Sequence, residues 1–342
     1  MRRAIVAIAT LSVISGAAGA KPTAKFEFLS RESAALWMED YRAKPNPLRL
    51  PAAVRVLSRT GVLKDPESSG FQVGFIAGVL GANPRLADKL VAQMTPLPPQ
   101  DQWAIVRAIA FSGLPNWKDL LRRHASLFPA RQELIQEYLD GKLPILPTLQ
   151  LDREPTFTEK VKMQFGDKPP PPKLSFARSP ELLDTLWGEY FATGDYQPIW
   201  RIITLLPWSK DKDNVDRLTV GSMAKVTLVS NASRYPDLLA MLKDMRSFQE
   251  PAIAKAMAEI IEAAETQQGP AIRKQALEAI EELKRKGPNY RRDVAIWGQV
   301  GQGALALGCI AAAAASMTVL GVPCVVGGAA TSAALNYWSQ KQ

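Results

Sequence analysis

Residues Val294 to Gln340 form a run of 47 uncharged positions in a chain that elsewhere carries a charge every few residues. Water is a poor solvent for such a run, which points it toward lipid or a close-packed helical setting. As a helix rising ~1.5 Å per residue, Val300 to Val322 is long enough to cross a hydrocarbon core of ~30 Å. Pro323 then interrupts, and the 15 residues from Cys324 to Trp338 span only about 22 Å. Ala311 to Ala315 and seven glycines add little transfer energy, so insertion leans on Leu305, Leu307, Ile310, Met317, Val319, Leu320, Val322, Val325 and Val326.

What the small residues do supply is close approach. Ala304, Gly308, Ala312 and Ser316 recur every fourth position, as do Cys324, Gly328 and Ser332, giving each half a stripe along which helix backbones can pack. The expected arrangement is an Ala/Gly-rich helical hairpin over 294–342, turning at Gly321-Val322-Pro323. Trp297, Tyr337 and Trp338 flank it where interfacial aromatics sit. Before it, Lys284, Arg285, Lys286, Arg291 and Arg292 are candidates for anionic lipid headgroups. The competing account of 284–286 is a basic helix end complementing its own dipole. A hairpin that dips and returns keeps this basic flank on one side without translocating charge. In such a hairpin Cys309 lies ~18 Å from the bend and Cys324 ~4.5 Å, too unequal for α-carbons within ~7 Å, so two thiols are expected rather than a disulfide.

The opposite end reads as an address. Arg2 and Arg3 precede an uncharged run from Ala4 to Ala20 that closes on Ala18-Gly19-Ala20, the pattern of a signal peptide with a cleavage site before Lys21. Residues 1–20 are therefore expected to be removed and the protein exported to the periplasm or cell envelope.

Between these ends the apolar residues recur at three and four, and helix punctuation is dense. Leu36, Met38 and Tyr41 lead to Leu50, Val54 and Leu57, with Gly61 as a stop. Asn83-Pro84 is expected to cap a helix bearing Leu86, Leu90 and Met94. Helices follow from Gln102 to Gly113, from Trp117 to His124 behind Asn116, and from Leu134 to Gly141. A second stretch opens at Ser179-Pro180, runs to Gly194, and continues at about 198–206, 214–230, 236–247, 251–265 and 270–286. Strand pairs with Asn-Gly or Asp-Gly turns are absent, so the expected class is all-α, as an irregular antiparallel helical repeat or two bundles. The expected division is 21–140 and 179–293 as helical modules, joined by a proline-rich linker or crossover over 141–178 that lies partly against the helices.

The catalytic inventory is thin. The formal charge of +9 is spread along the chain with acids interleaved, which argues against a nucleic-acid surface. Two cysteines and one histidine, His124, give no thiolate zinc site, and no cofactor is expected. Gly221-Ser222-Met223-Ala224-Lys225 resembles the S-x-x-K motif of penicillin-binding proteins and serine β-lactamases, in which serine attacks an acyl group and lysine assists. The resemblance covers five residues, and neither a K-T-G nor an S-D-N triplet accompanies it. Asp211, Asp213, Asn214 and Asp216 echo the start of a calcium loop but lack its glycine and its final glutamate, so they read as the cap of a helix at Val215. Glu189 is a lone candidate acid with no partner carboxylate by spacing, and Trp103, Trp117, Trp187, Trp200 and Trp208 read as core. The expected function is a non-enzymatic exported scaffold or binding module, held to membrane lipid or a partner helix through 294–340, with an unknown protein partner on its body. The alternatives are a secreted membrane-active, pore-forming-like protein and, remotely, a serine acyl hydrolase using Ser222 and Lys225.

Overall fold

In the computed structural model the described residues are 28–149, 175–177 and 179–286. They form thirteen α-helices. The first seven are α1 Arg31–Asp40, α2 Leu50–Arg59, α3 Gly70–Ala82, α4 Ala87–Met94, α5 Gln102–Phe111, α6 Trp117–His124 and α7 Gln132–Leu139. The remainder are α8 Glu181–Thr193, α9 Tyr196–Ile203, α10 Val215–Arg234, α11 Pro236–Arg246, α12 Pro251–Glu265 and α13 Gly269–Lys286. The all-α class holds, with no strand among the described residues.

The centre of the fold is a pair that is distant in sequence. Helix α3 carries no charge and is buried from Gly70 to Leu80, so it has no solvent face. Three of its glycines recur every fourth residue and lie against α8: Gly70 meets the backbone of Glu181, Gly74 that of Thr185, and Gly78 that of Glu189 together with Ala192. Residue numbers climb together on the two helices, so α3 and α8 run parallel. From the other side Gly188 meets the backbone at Phe71 and Phe75. This is the most extensive helix–helix contact among the described residues. Glycine within a helix costs about 1 kcal/mol relative to alanine. Burying one large apolar side chain returns ~1.5–3 kcal/mol, and Phe71, Phe75, Trp187 and Phe191 are all fully buried around the seam. The close approach that glycine permits is therefore favourable on balance.

Two arginines tie other segments to this centre. Arg42, just after α1, lies over the rings of Tyr190 at 4.8 Å and Tyr235 at 4.9 Å. It donates to Tyr190 Oη at 2.8 Å and pairs with Asp237 through both terminal nitrogens. That fastens the end of α1 to the end of α8 and to the α10–α11 junction. Arg201 of α9 donates to the carbonyl oxygens of Leu146 and Leu149 and lies 5.3 Å from the centre of the Phe176 ring. Leu146 and Phe176 are buried, so the described ends of the proline-rich region do lie against the helices. One continuous apolar core runs from Phe28 to Ile280 and draws on residues from both helical stretches.

The glycines read as helix stops, Gly61, Gly113, Gly141 and Gly194, all have positive φ, between +69° and +77°. Three details differ from the sequence reading. No helix was expected between Gly61 and Asn83, where α3 stands, because its apolar residues face every direction and show no stripe. Asn83 does not cap α4: its side-chain nitrogen donates to the Val79 carbonyl at 2.8 Å and so closes α3, and a turn intervenes before Ala87. The helix expected over 198–206 instead ends at Ile203, and a 3-10 turn over Leu206–Lys210 follows, Pro207 having no N–H to continue the α-helical ladder. None of the helices among the described residues is long and apolar enough to cross a membrane. The expected signal peptide at 1–20 and the hairpin at 294–342 lie outside the described residues. So do the hairpin's small-residue stripes, Cys309, Cys324, Trp297, Tyr337, Trp338, Arg291 and Arg292.

Candidate functional site

The groups nominated from the sequence fall into separate, internally engaged environments. Gly221 seats α10 against the backbone of Trp208 and Ser209, which places Ser222 in a packed layer at 3% exposure. Lys225 is held in an ion pair by Glu259 at 2.7 Å. Asp211 accepts from the backbone N–H groups of Asp213 and Asn214, and Asn214 accepts from Arg217, so this acidic run is the cap of α10 that its spacing suggested. His124 Nε2 lies 3.1 Å from Asp88 Oδ1, joining the end of α6 to the first turn of α4, where Arg123 also reaches Asp88. Trp103 and Trp187 are core and donate to the Leu63 carbonyl and to Thr227 Oγ1. Trp117 is buried and Trp208 partly so, whereas Trp200 is 38% exposed beside Tyr196 at 50%. Arg285 lies exposed near the end of α13, and Lys284 and Lys286 belong to the same last turn.

Helix α8 carries three carboxyls with raised acidity ranges, Glu181 and Asp184 one turn apart and Glu189 farther along. Asp184 is fully buried at 0% exposure, and neither of its oxygens has a hydrogen-bond partner. It sits where α3 begins: a methyl group added at Gly70 would stand 3.2 Å from its β-carbon. Burial lifts its carboxyl well above the ordinary aspartate range, and the carboxylate of Glu181 one turn earlier pushes the same way. Glu181 is itself pushed up to about 7 by burial, with Arg107 opposing and Glu67 and Asp65 reinforcing. Farther along α8, burial takes Glu189 up to about 7, opposed by Arg201 and reinforced by Asp195.

Two opposing effects act on Asp184, and their sizes decide its charge. The positive ends of the parallel helices α3 and α8 both lie beside it, each favouring an anion by about 0.3–1 kcal/mol. An unpartnered buried carboxylate costs several kcal/mol. The neutral acid is therefore the resting form, with Glu181 and Glu189 near half-protonation at neutral pH. Such a set can hold and release protons. The raised acidity range of Glu189 is what a general acid needs, yet Asp184, the nearest buried carboxyl on the helix, is sealed from solvent and cannot act on an outside substrate. One signal in the sequence marks this position: Asp184 is the only charge among Leu182, Leu183, Leu186 and Trp187, on what is otherwise an apolar face.

No family model, curated protein or solved structure matches the chain, so the reading of its site rests on its own residues.

Proposed function

We propose that this protein is an exported helical scaffold of the cell envelope, whose closed body is fixed to a membrane or to a partner helix by residues 294–340. The observation that carries the reading is the uncharged 47-residue run after a helix that ends in basic residues. Export is supported by the basic, apolar and small-residue pattern of residues 2–20. The body suits a scaffold: its described core is continuous, and Ser222 and Lys225, the groups a hydrolase would use, are respectively buried and paired.

The test is fractionation of the full chain and of a chain ending at residue 293, followed by sodium carbonate extraction. The full chain should remain with membranes after carbonate and the shortened chain should be soluble. Full release of the intact chain overturns membrane fixation. A membrane-active protein is favoured instead by the four-residue recurrence of small residues in the sequence from Ala304 to Ser316 and from Cys324 to Ser332. Dye release from liposomes that disappears when 294–342 is deleted would establish that second reading over the first.

A further inference from the structure

We propose that the α3–α8 seam is a proton-dependent seal: the two helices stay in backbone contact while Asp184 is neutral, and its ionisation parts them. The geometry leaves an ionised Asp184 no other recourse. Methyl groups built at Gly70 and Gly74 would overlap the backbone of Glu181 and Thr185, so the two helices touch directly there, and both Asp184 oxygens are buried without a hydrogen-bond partner. Helix α3 offers no counter-ion, having no charged residue.

The charges on the other elements around α8 are turned elsewhere. On α5, Arg107 faces Glu181 and lies 5.0 Å from the centre of the Trp103 ring. Ahead of α3, Asp65 and Glu67 add only further negative charge toward Glu181. On α1, Glu39 faces Arg234 and Asp40, and the adjoining Arg42 is engaged by Asp237 and Tyr190. On α9, Arg201 serves the Leu146 and Leu149 carbonyls and faces Glu189, toward which Asp195 also points its charge. On α10, which touches α8 where Trp187 meets Thr227, Lys225 is paired with Glu259.

The sign follows from linkage. The folded chain keeps a proton on Asp184 that the unfolded chain, with an ordinary carboxyl near 3.9, gives up. Stability should therefore fall as pH rises above about 4 and go on falling through neutrality.

The test uses the full chain and D184N, unfolded in urea at pH 5, 6.5 and 8 and followed by helical circular dichroism. The wild-type midpoint should drop steadily with pH. In D184N a substantial part of that drop should vanish, the remainder belonging to Glu181 and Glu189, and α3 amides at pH 8 should exchange with deuterium at least about tenfold more slowly than in wild type. An unchanged pH dependence in D184N, or equal α3 exchange in the two proteins, overturns the proposal. Proton release on unfolding gives a second measurement that does not require D184N to fold. In the E181Q/E189Q double variant at pH 6.5, about one proton should still be released per chain. No release from that variant overturns the proposal as well.

Discussion

Helices α3 and α6 show two ways of holding a helix in the same fold. Helix α6 turns Trp117, Leu120 and Leu121 inward and leaves Asp119, Arg122 and Arg123 to solvent, so its stability comes from a side-chain stripe pressed on the core. Helix α3 has no outward face, and its defining contacts are backbone against backbone at Gly70, Gly74 and Gly78. A stripe of side chains can repack around a change, because rotamers adjust. A backbone contact has nothing to adjust, so the same added methyl that a surface helix welcomes becomes a collision in the seam.

This contrast can be broken most decisively at Gly74. Gly74→Ala should gain about 1 kcal/mol in helix propensity and still lose on balance, destabilising by about 3 kcal/mol, because the methyl overlaps the Thr185 carbonyl. Equilibrium unfolding in urea measures it, and a stabilised G74A would refute the seam geometry. Leu121→Ala, in the stripe of α6, should cost about 2–3 kcal/mol by the same measurement, toward the lower end of core truncations if its neighbours collapse inward.

Glu189→Gln probes the seam's far end. Glu189 is raised to about 7 in the fold, so its ionisation opposes folding progressively between the unfolded carboxyl value and about pH 7. The variant should match wild type near pH 4 and exceed it at pH 8, by on the order of 1 kcal/mol. Thermal midpoints across that range decide the point. The smallest effect belongs to Arg122→Ala on α6, whose 2.7 Å pair with Asp119 is more than half exposed on both partners. It should stay within about 0.5 kcal/mol.

What could be read in advance follows the same division. Helices with one wet face declare their period: α6, α7, α10, α11, α12 and α13 fall close to where apolar spacing, prolines and Gly stops placed them. The Asp211–Asp216 cap and the structural placement of His124 were legible because their interactions are local or between neighbouring helices. Helix α3 was not, since an element buried on all sides shows no alternation, and its glycines argue against a helix by propensity. Their four-residue spacing is the feature that would have revealed it, the same signal already noticed in Ala304 to Ser316. The carboxyl group at the seam was hidden for a related reason. Asp184 becomes unusual only when α3 covers it, and a contact 114 positions away, with Gly70, leaves no local trace.

That separation also orders events during synthesis. When the ribosome has delivered residues through α7, α3 has already been made, but the strip along Gly70, Gly74 and Gly78 still lacks the surface that covers it. Only after Thr193 emerges can α8 close over that strip, so the N-terminal half cannot reach its final packing by itself. A nascent chain stalled between these points would present an apolar helix with exposed backbone, a natural target for holdase chaperones.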